Sequence, residues 1–172
     1  QYDGFNTQLV EDSLLKGNTV YAMQPFGNKL WIGTDKGLVY FDGKLFQRIG
    51  VVSGLNTAAI NFLKTDKKNN LWIGTNNGIF SLDLSTFLKG KMELTSYTIN
   101  NGLIGMETNL NAIFEDSKDN IWMGTSEGVN VYKKSSATHE VEVSPLVHLT
   151  SIKLLFGEKE WLQKFRESQS IQ

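Results

Sequence analysis

The apolar positions of the chain come in short runs, and a group of such runs recurs. In each copy, a tryptophan between two apolar side chains is followed by Gly-Thr, two polar residues and a second glycine. The three copies occupy residues 30–37, 71–78 and 121–128. Their tryptophans are 41 and 50 residues apart, close to the roughly 40 to 50 residues of one propeller blade. This spacing predicts consecutive blades.

The flanks of the tryptophan segments repeat as well. An apolar run precedes each segment at residues 20–23, 60–63 and 110–114, and another follows directly after the second glycine. A fourth run follows in two copies, at residues 45–49 and 94–99. Four short β-type runs separated by turns are typical of a four-stranded antiparallel sheet. We therefore predict an all-β fold: a β-propeller fragment of about three four-stranded blades, plus the beginning of a β-sandwich domain.

The glycines of each segment have predicted structural roles. The second glycine is expected to adopt the left-handed conformation that ends a three-residue hairpin loop with a bulge. These residues are Gly37, Gly78 and Gly128. The first glycine is expected to permit a close approach of backbone. These residues are Gly33, Gly74 and Gly124. Residues 84–91, where the second copy is longer, are expected to connect outer strands.

The pattern also predicts the domain organisation. Residues 1–143 form a partial propeller, with an outer strand of a preceding blade at 1–16 and blades at about 17–50, 51–100 and 101–143. Val141–Val143 is the predicted last strand. Residues 144–172 are the start of a second, truncated domain, and the chain reads as a fragment of a longer protein. Three blades cannot close a ring, so the first and last blades should each expose an apolar face and the chain should self-associate.

Composition narrows the functional classes. Lys and Arg total 17, Asp and Glu total 18, and the net charge is -1, which argues against a nucleic-acid partner. The absence of cysteine excludes a disulfide framework and a thiolate site. No apolar run approaches the roughly 20 residues of a membrane span, so we expect no membrane contact by this fragment.

Some polar residues have both a possible chemical role and a structural one. Asp66 and Asp116 could be the carboxylate pair of a glycosidase, but carboxylates in strand-connecting turns are ordinary hairpin chemistry. The turn at residues 116–120 has some calcium-ligand character without the glycine and distal glutamate of an EF-hand. His139 and His148 have no partner at metal-ligand spacing. We predict no catalytic residue, no cofactor and no metal, and the pattern leaves the ligand-binding residues unknown.

The three repeated tryptophans could stack on sugar rings. Because they are strand residues present in every copy, packing between blades is the favoured interpretation. Farther along the chain, Trp161, Leu162 and Phe165 have helix-like spacing near charged residues. They could form a docking stripe, although a truncated piece of the next domain is the simpler interpretation.

The repeat resembles a known family. The pattern Leu-Trp-Ile-Gly-Thr-x-x-Gly-Leu, with an aspartate six residues before the tryptophan, is similar to the two-component regulator propeller repeat. The aspartates are Asp66 and Asp116, and the first copy has the shorter turn at residues 25–28 instead. In that family the propellers precede a small immunoglobulin-like domain named for its tyrosines. Residues 144–152 are similar to the beginning of that domain.

The resemblance implies a function. Such repeats build periplasmic sensor regions of hybrid two-component histidine kinases, so it implies an extracytoplasmic ligand-sensing module that detects a glycan-derived oligosaccharide and signals to a cytoplasmic kinase. It further implies other propeller blades of the parent chain as partners, a homodimeric parent and no catalysis by this fragment. A non-catalytic protein-interaction scaffold is the alternative, and a carbohydrate-active enzyme is a third.

Overall fold

The computed structural model describes Gly4, residues 9–49, Leu55 and residues 58–133. These residues form three antiparallel sheets, which we call blades 1, 2 and 3. Blade 1 contains β1 (Val20–Phe26), β2 (Lys29–Thr34), β3 (Gly37–Phe41) and β4 (Phe46–Ile49). Blade 2 contains β5 (Ile60–Thr65), β6 (Asn70–Thr75), β7 (Gly78–Asp83) and β8 (Leu94–Tyr97). Blade 3 contains β9 (Thr108–Glu115), β10 (Ile121–Thr125) and β11 (Gly128–Tyr132). The predicted all-β propeller architecture is confirmed.

Each blade is a meander in which every strand pairs with the next strand along the chain. The register places the three tryptophans at the same point of the second strand: Trp31 lies opposite Gln24 of β1, Trp72 opposite Lys64 of β5, and Trp122 opposite Phe114 of β9. The sequence copies are therefore structural copies.

The blades pack face to face around their first strands. β5 contacts β1 on one side and β9 on the other. One apolar cluster joins blades 1 and 2, and a second joins blades 2 and 3. The first cluster includes Trp31, Tyr40, Leu71, Leu82 and Leu84. The second includes Phe62, Trp72, Ile79, Ile121 and Met123. The core thus lies between neighbouring sheets, as the propeller prediction requires.

The hairpin between the second and third strands has the same construction in every blade. The threonine hydroxyl that ends the second strand donates to the carbonyl of the following glycine, at 2.8 Å from Thr34, 2.7 Å from Thr75 and 3.1 Å from Thr125. That glycine has a positive φ in each blade, for example 100° at Gly78. The predicted positive φ is confirmed. The predicted three-residue loop with a bulge is wrong, because each threonine pairs directly with the glycine and the loop between them has two residues without a shift of register.

The first glycine of the motif makes room for a side chain. A Cβ atom on Gly74 would lie 2.3 Å from the ring of Phe62, and one on Gly33 would lie 2.6 Å from Ile60 Cγ2. The predicted close approach therefore exists, but its nearest neighbours are side chains of the inner strand rather than backbone. This correction follows from the positions of the two side chains: Phe62 lies directly opposite Gly74 on the paired strand, and Ile60 of β5 approaches Gly33 from the neighbouring blade.

Two parts of the expected organisation differ or lie outside the described residues. Residues 9–19 form no strand, because Asp12 organises a turn in which its carboxylate accepts from the Leu14 N–H at 2.8 Å and its carbonyl from the Lys16 N–H at 2.8 Å. The rest of the predicted outer strand, apart from Gly4, lies outside the described residues. So do the strand predicted at 141–143 and the second domain predicted at 144–172.

The two terminal blades differ in exposure. Ile73 and Phe80 of blade 2 face blade 1, so the equivalent residues of blade 1 point away from blade 2. These residues, Ile32 and Val39, are nevertheless buried. The expectation that blade 1 exposes this face is therefore wrong. Blade 3 does expose its outer face, where Val129 is 63 % exposed.

Candidate functional site

The turn between the first two strands of blade 2 is built on Asp66. One carboxylate oxygen accepts from the backbone N–H groups of Lys68 at 2.9 Å and Asn70 at 2.8 Å. The other accepts from the Asn70 side-chain amide at 3.0 Å and from Trp72 Nε1 at 2.9 Å. Asn69 completes the turn with a φ of 64°. The aspartate thus fixes both the turn and the indole that follows it.

Blade 3 repeats this arrangement. Asp116 accepts from the Lys118 N–H at 2.8 Å, from Asn120 N and Nδ2 at 2.9 Å each, and from Trp122 Nε1 at 2.9 Å. The hydrogen bonds from Trp122 and Asn120 hold the pKa of Asp116 well below its usual range. The turn role predicted for the two aspartates is confirmed, and their lone pairs are committed to turn donors rather than to a reacting group.

Blade 1 lacks the aspartate, and its tryptophan is held differently. Trp31 Nε1 is buried without a hydrogen-bond partner in the part of the chain that the structure describes. Instead, the Trp31 ring packs on Tyr40, with centroids 4.6 Å apart, and on Phe87, at 5.0 Å. Phe87 belongs to α1 (Leu84–Phe87), which lies in the longer connection predicted at residues 84–91. In blade 1, apolar packing therefore takes the place of the hydrogen bond between the indole and the aspartate.

Burial of the tryptophans follows the order of the blades. Trp31 and Trp72 are 0 % and 2 % exposed, which confirms the predicted packing between blades. Trp122 is 42 % exposed, so for this residue the prediction is wrong. The reason is positional: Tyr132 of blade 3 lies on Trp72 at a centroid distance of 4.9 Å, and no described residue covers Trp122 in that way.

A cleft of about 230 Å³ lies between blades 2 and 3, over Trp72. We call it the blade 2–3 cleft. Its aromatic wall consists of Trp72, Tyr97 and Tyr132, whose ring centroids are 4.9 to 5.9 Å apart. Burial raises the pKa of Tyr97, while the hydrogen bond with the Ser81 side chain opposes that rise. The wall thus presents apolar ring faces together with the hydroxyl groups of Tyr97 and Tyr132.

At the rim of the cleft, an ion pair and a hydrogen bond connect the turn of blade 2 to blade 3. Lys67 Nζ contacts Asp119 Oδ1 at 2.6 Å, and the Lys67 N–H donates to Glu115 Oε1 at 3.2 Å. The hydrogen bond to Asp119 raises the pKa of Lys67. Lys67 and Asp119 are both partly exposed, so this ion pair contributes little to stability. Together the two contacts link the turn of blade 2 to the turn of blade 3.

The structure gives no support to a metal site at the turn of residues 116–120. Both oxygens of Asp116 already accept N–H groups. Among residues 4, 9–49, 55 and 58–133, no three histidine, aspartate or glutamate side chains are grouped so as to hold an ion. His139 and His148 lie outside those residues, and the prediction that the chain holds no metal stays a prediction.

Sequence reasoning singled out Asp66 and Trp72 but did not find the cleft. Tyr97 comes from blade 2 and Glu115 and Tyr132 from two strands of blade 3, and no spacing along the chain indicates that they meet. One signal was available: an aspartate six residues before the tryptophan in two copies only, which marks the two indoles that are held by a carboxylate.

Comparison with known proteins agrees with the repeat pattern. The family described as Two component regulator propeller matches residues 54–77 and 102–127. No curated protein matches the chain. In the described part of the chain, the helices are too short and too polar to cross a bilayer.

Solved structures share the fold. The extracellular domain of a candidate hybrid two component system from B. thetaiotaomicron is 22 % identical with a TM-score of 0.56, covering 67 % of this chain and 16 % of that one. A second extracellular domain from B. thetaiotaomicron, described as part of a one component system and also as part of a hybrid two component system, is 24 % identical with a TM-score of 0.54, covering 75 % and 17 %. The chain thus spans about a sixth of the length of these structures. Residues 54–77 and 102–127 therefore match two component regulator propeller repeats, and the described residues share the fold of these extracellular domains.

Proposed function

We propose that the chain is part of the periplasmic, ligand-sensing region of a hybrid two-component histidine kinase, which detects a glycan-derived oligosaccharide and passes the signal to a cytoplasmic kinase. The observation that carries this proposal is the family repeat, folded into blades like those of extracellular domains of candidate two component systems. Recognition without catalysis is what such a region contributes.

The two aspartates support binding rather than hydrolysis. A glycosidase needs one carboxylic acid to protonate the leaving group and one carboxylate to attack or activate water. Asp66 and Asp116 instead each accept four N–H groups, three from the turn and one from the indole of the tryptophan that follows it. Hydrogen bonds to the ionised form hold Asp116 as a carboxylate, which is unsuited to donating a proton.

Further propeller blades are the proposed partners of blade 3. Trp72 and Ile79 of blade 2 are buried against Ile121 and Met123 of blade 3. The equivalent Trp122 and Val129 of blade 3 are 42 % and 63 % exposed. A further repeat of the same kind presents the apolar residues that this face requires. Dimerisation of the parent protein is an additional expectation of the proposal.

The exposed side of blade 3 also favours a second candidate function, an interaction scaffold for another protein. Leu110, Trp122 and Val129 are large apolar side chains that remain 59 %, 42 % and 63 % exposed. Exposed apolar patches of this kind mark protein interfaces. On this alternative the propeller recognises a protein and binds no saccharide.

The test is a glycan array probed with the complete extracytoplasmic region of the protein that contains this chain, followed by calorimetry on each glycan that binds. The proposal expects binding of one class of oligosaccharide, with no hydrolysis, and a change in kinase autophosphorylation when that glycan is added to the whole protein. Hydrolysis of a bound glycan would contradict the sensing role. Failure of every glycan to bind, together with capture of a protein partner, would establish the scaffold instead.

A further inference from the structure

The blade 2–3 cleft differs from the equivalent place between blades 1 and 2. There, Phe87 lies on the ring of Trp31, and Trp31 and Tyr40 are closed off. Over Trp72, by contrast, the described residues leave a space of about 230 Å³. This volume lies below the roughly 300–1,000 Å³ of pockets that enclose drug-sized ligands. It has room for one ring of a sugar and not for a longer segment.

The cleft offers a stacking surface. Tyr132 is 43 % exposed and is supported from behind by Trp72, at 4.9 Å between ring centroids. Tyr97 stands edge-on to Tyr132, with an angle of 71° between the rings. An exposed ring held in place by two others presents an apolar face without a large entropic cost of ordering. The C–H face of a pyranose ring is apolar and fits such a surface.

The charged groups that line the cleft are the carboxylates of Asp66, Glu115 and Asp119 and the ammonium group of Lys68. The carboxylates of Glu115 and Asp119 are bridged by Lys67, and Lys68 stands on the same rim. Glu115 accepts one N–H from Lys67, whereas a carboxylate can accept several hydrogen bonds. The exposed hydroxyl of Thr95 also lines the cleft. The Lys67 ammonium pairs with Asp119, and Asp66 already accepts four N–H groups. The remaining excess of carboxylate disfavours an anionic ligand, and the further acceptor positions of Glu115 and the hydroxyl of Thr95 suit the hydroxyls of a neutral one.

We propose that the blade 2–3 cleft is a saccharide subsite that binds one neutral sugar ring. Tyr132 stacks on the ring, Glu115 accepts hydrogen bonds from its hydroxyls, and the Thr95 hydroxyl donates to or accepts from them. This inference rests on the proposed sensing of an oligosaccharide. It adds where one sugar ring of that oligosaccharide binds and that this ring is uncharged. It makes the contact between two successive blades, rather than the centre of the propeller, the point of recognition.

The experiment is a protein-observed NMR titration of the chain with three probes of one ring size: methyl β-D-glucopyranoside, glucosamine and glucuronate. The neutral glucoside should shift the amides of residues that line the cleft, and added NaCl should not weaken its binding. Glucosamine and glucuronate should bind no better. Stronger, salt-sensitive binding of either charged probe would overturn the assignment of a neutral ligand.

Substitutions locate the site. Tyr132→Ala should weaken binding of the glucoside roughly two- to tenfold, which is the loss expected for one aromatic contact. Phe114→Ala, which removes another exposed ring from blade 3 outside the cleft, should leave it unchanged. Because Tyr132→Ala also uncovers Trp72, Thr95→Val on the exposed edge of β8 provides a second variant that keeps the packing. Glu115→Gln should retain more binding than Glu115→Ala.

The outcomes separate this inference from the proposed function. If a glycan binds to the complete extracytoplasmic region and Tyr132→Ala and Thr95→Val both leave that binding unchanged, the sensing function stands and the cleft is not the site. If glucoside shifts amides elsewhere and not at the cleft, the subsite assignment is overturned directly. If no glycan binds to the complete region, the proposed function itself is lost.

Discussion

A single carboxylate performs two tasks in blades 2 and 3. It closes the turn between the first two strands by accepting two backbone N–H groups, and it holds the indole of the tryptophan six residues later. A buried donor left without an acceptor carries a substantial desolvation cost. The carboxylate therefore stabilises the blade both through its turn and through the tryptophan that fills the interface with the next blade.

The role of Asp66 leads to a prediction about stability. Asp66→Ala should lower the free energy of unfolding by about 1–3 kcal/mol, because it leaves the nearly buried Trp72 Nε1 without an acceptor. Asp116→Ala is the matched control and should have a smaller effect, since the half-exposed Trp122 can bond to water instead. Urea unfolding of both variants provides the measurement. Equal losses from the two substitutions would contradict the account.

The pKa of Asp116 predicts a dependence of stability on pH. Its pKa is lowered in the folded chain by the hydrogen bonds from Trp122 and Asn120. A lowered folded pKa means that the contribution is complete above the ordinary aspartate value of about 3.9 and is lost as the pH falls toward the folded value. Asp116→Asn should therefore show a shallower loss of stability between about pH 5 and pH 2 than the unsubstituted chain. Unfolding curves that keep the same pH slope would count against this assignment.

At this scale, the sequence allowed the turn role of the aspartates to be predicted but not their second task. The hairpin chemistry of aspartate is local and is encoded within five residues. The hydrogen bond to Trp72 depends on where β6 places the indole after the turn, which is a property of the paired strands. The sequence also shows that the first copy has no aspartate six residues before Trp31. Because that acceptor is missing, Trp31 Nε1 has no hydrogen-bond partner among the described residues.

At the scale of elements, the insertion in blade 2 has a packing role. Asp83 caps α1 by accepting from the backbone N–H groups of Ser85 and Thr86. The one-turn helix then places Phe87 against Trp31 and Tyr40 of the preceding blade. An element that appears in the sequence only as extra loop length thus closes the interface where blade 1 lacks its aspartate.

Phe87 supplies the prediction at this scale. Phe87→Ala should make the Trp31 indole accessible and should destabilise the chain, because it removes the ring that covers Trp31. The neighbouring substitution Leu88→Ala should have little effect, since Leu88 is 52 % exposed. Acrylamide quenching in a variant that retains only Trp31 measures the accessibility. Unchanged quenching after Phe87→Ala would contradict the assigned packing.

The strands themselves were predictable because their signals are local and repeated. Three copies of one motif fixed the second strands and their turns, and the flanking apolar runs gave the others. Residues 9–16 were not predictable in the same way. The outer strand at 1–16 was inferred from the similarity of residues 2–4 (Tyr-Asp-Gly) to residues 41–43 (Phe-Asp-Gly) at the end of β3, and this similarity carries no information on whether a pairing partner is available. Contacts between blades, including the blade 2–3 cleft, depend on side chains far apart in the chain.

At the scale of the whole molecule, the repeat buries one apolar cluster between each pair of described blades and leaves the outer face of blade 3 uncovered by any described residue. We expect the isolated chain to self-associate through this face at micromolar concentration, because Trp122 and Val129 are exposed together there. Val129→Lys should shift the chain toward the monomer. Sedimentation velocity tests this, with binding of a hydrophobic dye as a second readout. A monomeric chain that binds no dye would contradict the expectation.

The central claim is that each blade's tryptophan is buried by the blade that follows it, as required of propeller repeats. Hydrogen exchange at the indole Nε1–H groups, observed by NMR in the unsubstituted chain, tests this most directly. Single Trp→Phe variants assign the signals. The account predicts slow exchange at Trp31 and Trp72 and much faster exchange at Trp122, whose face no described residue covers. Exchange at Trp72 as fast as at Trp122 would contradict it.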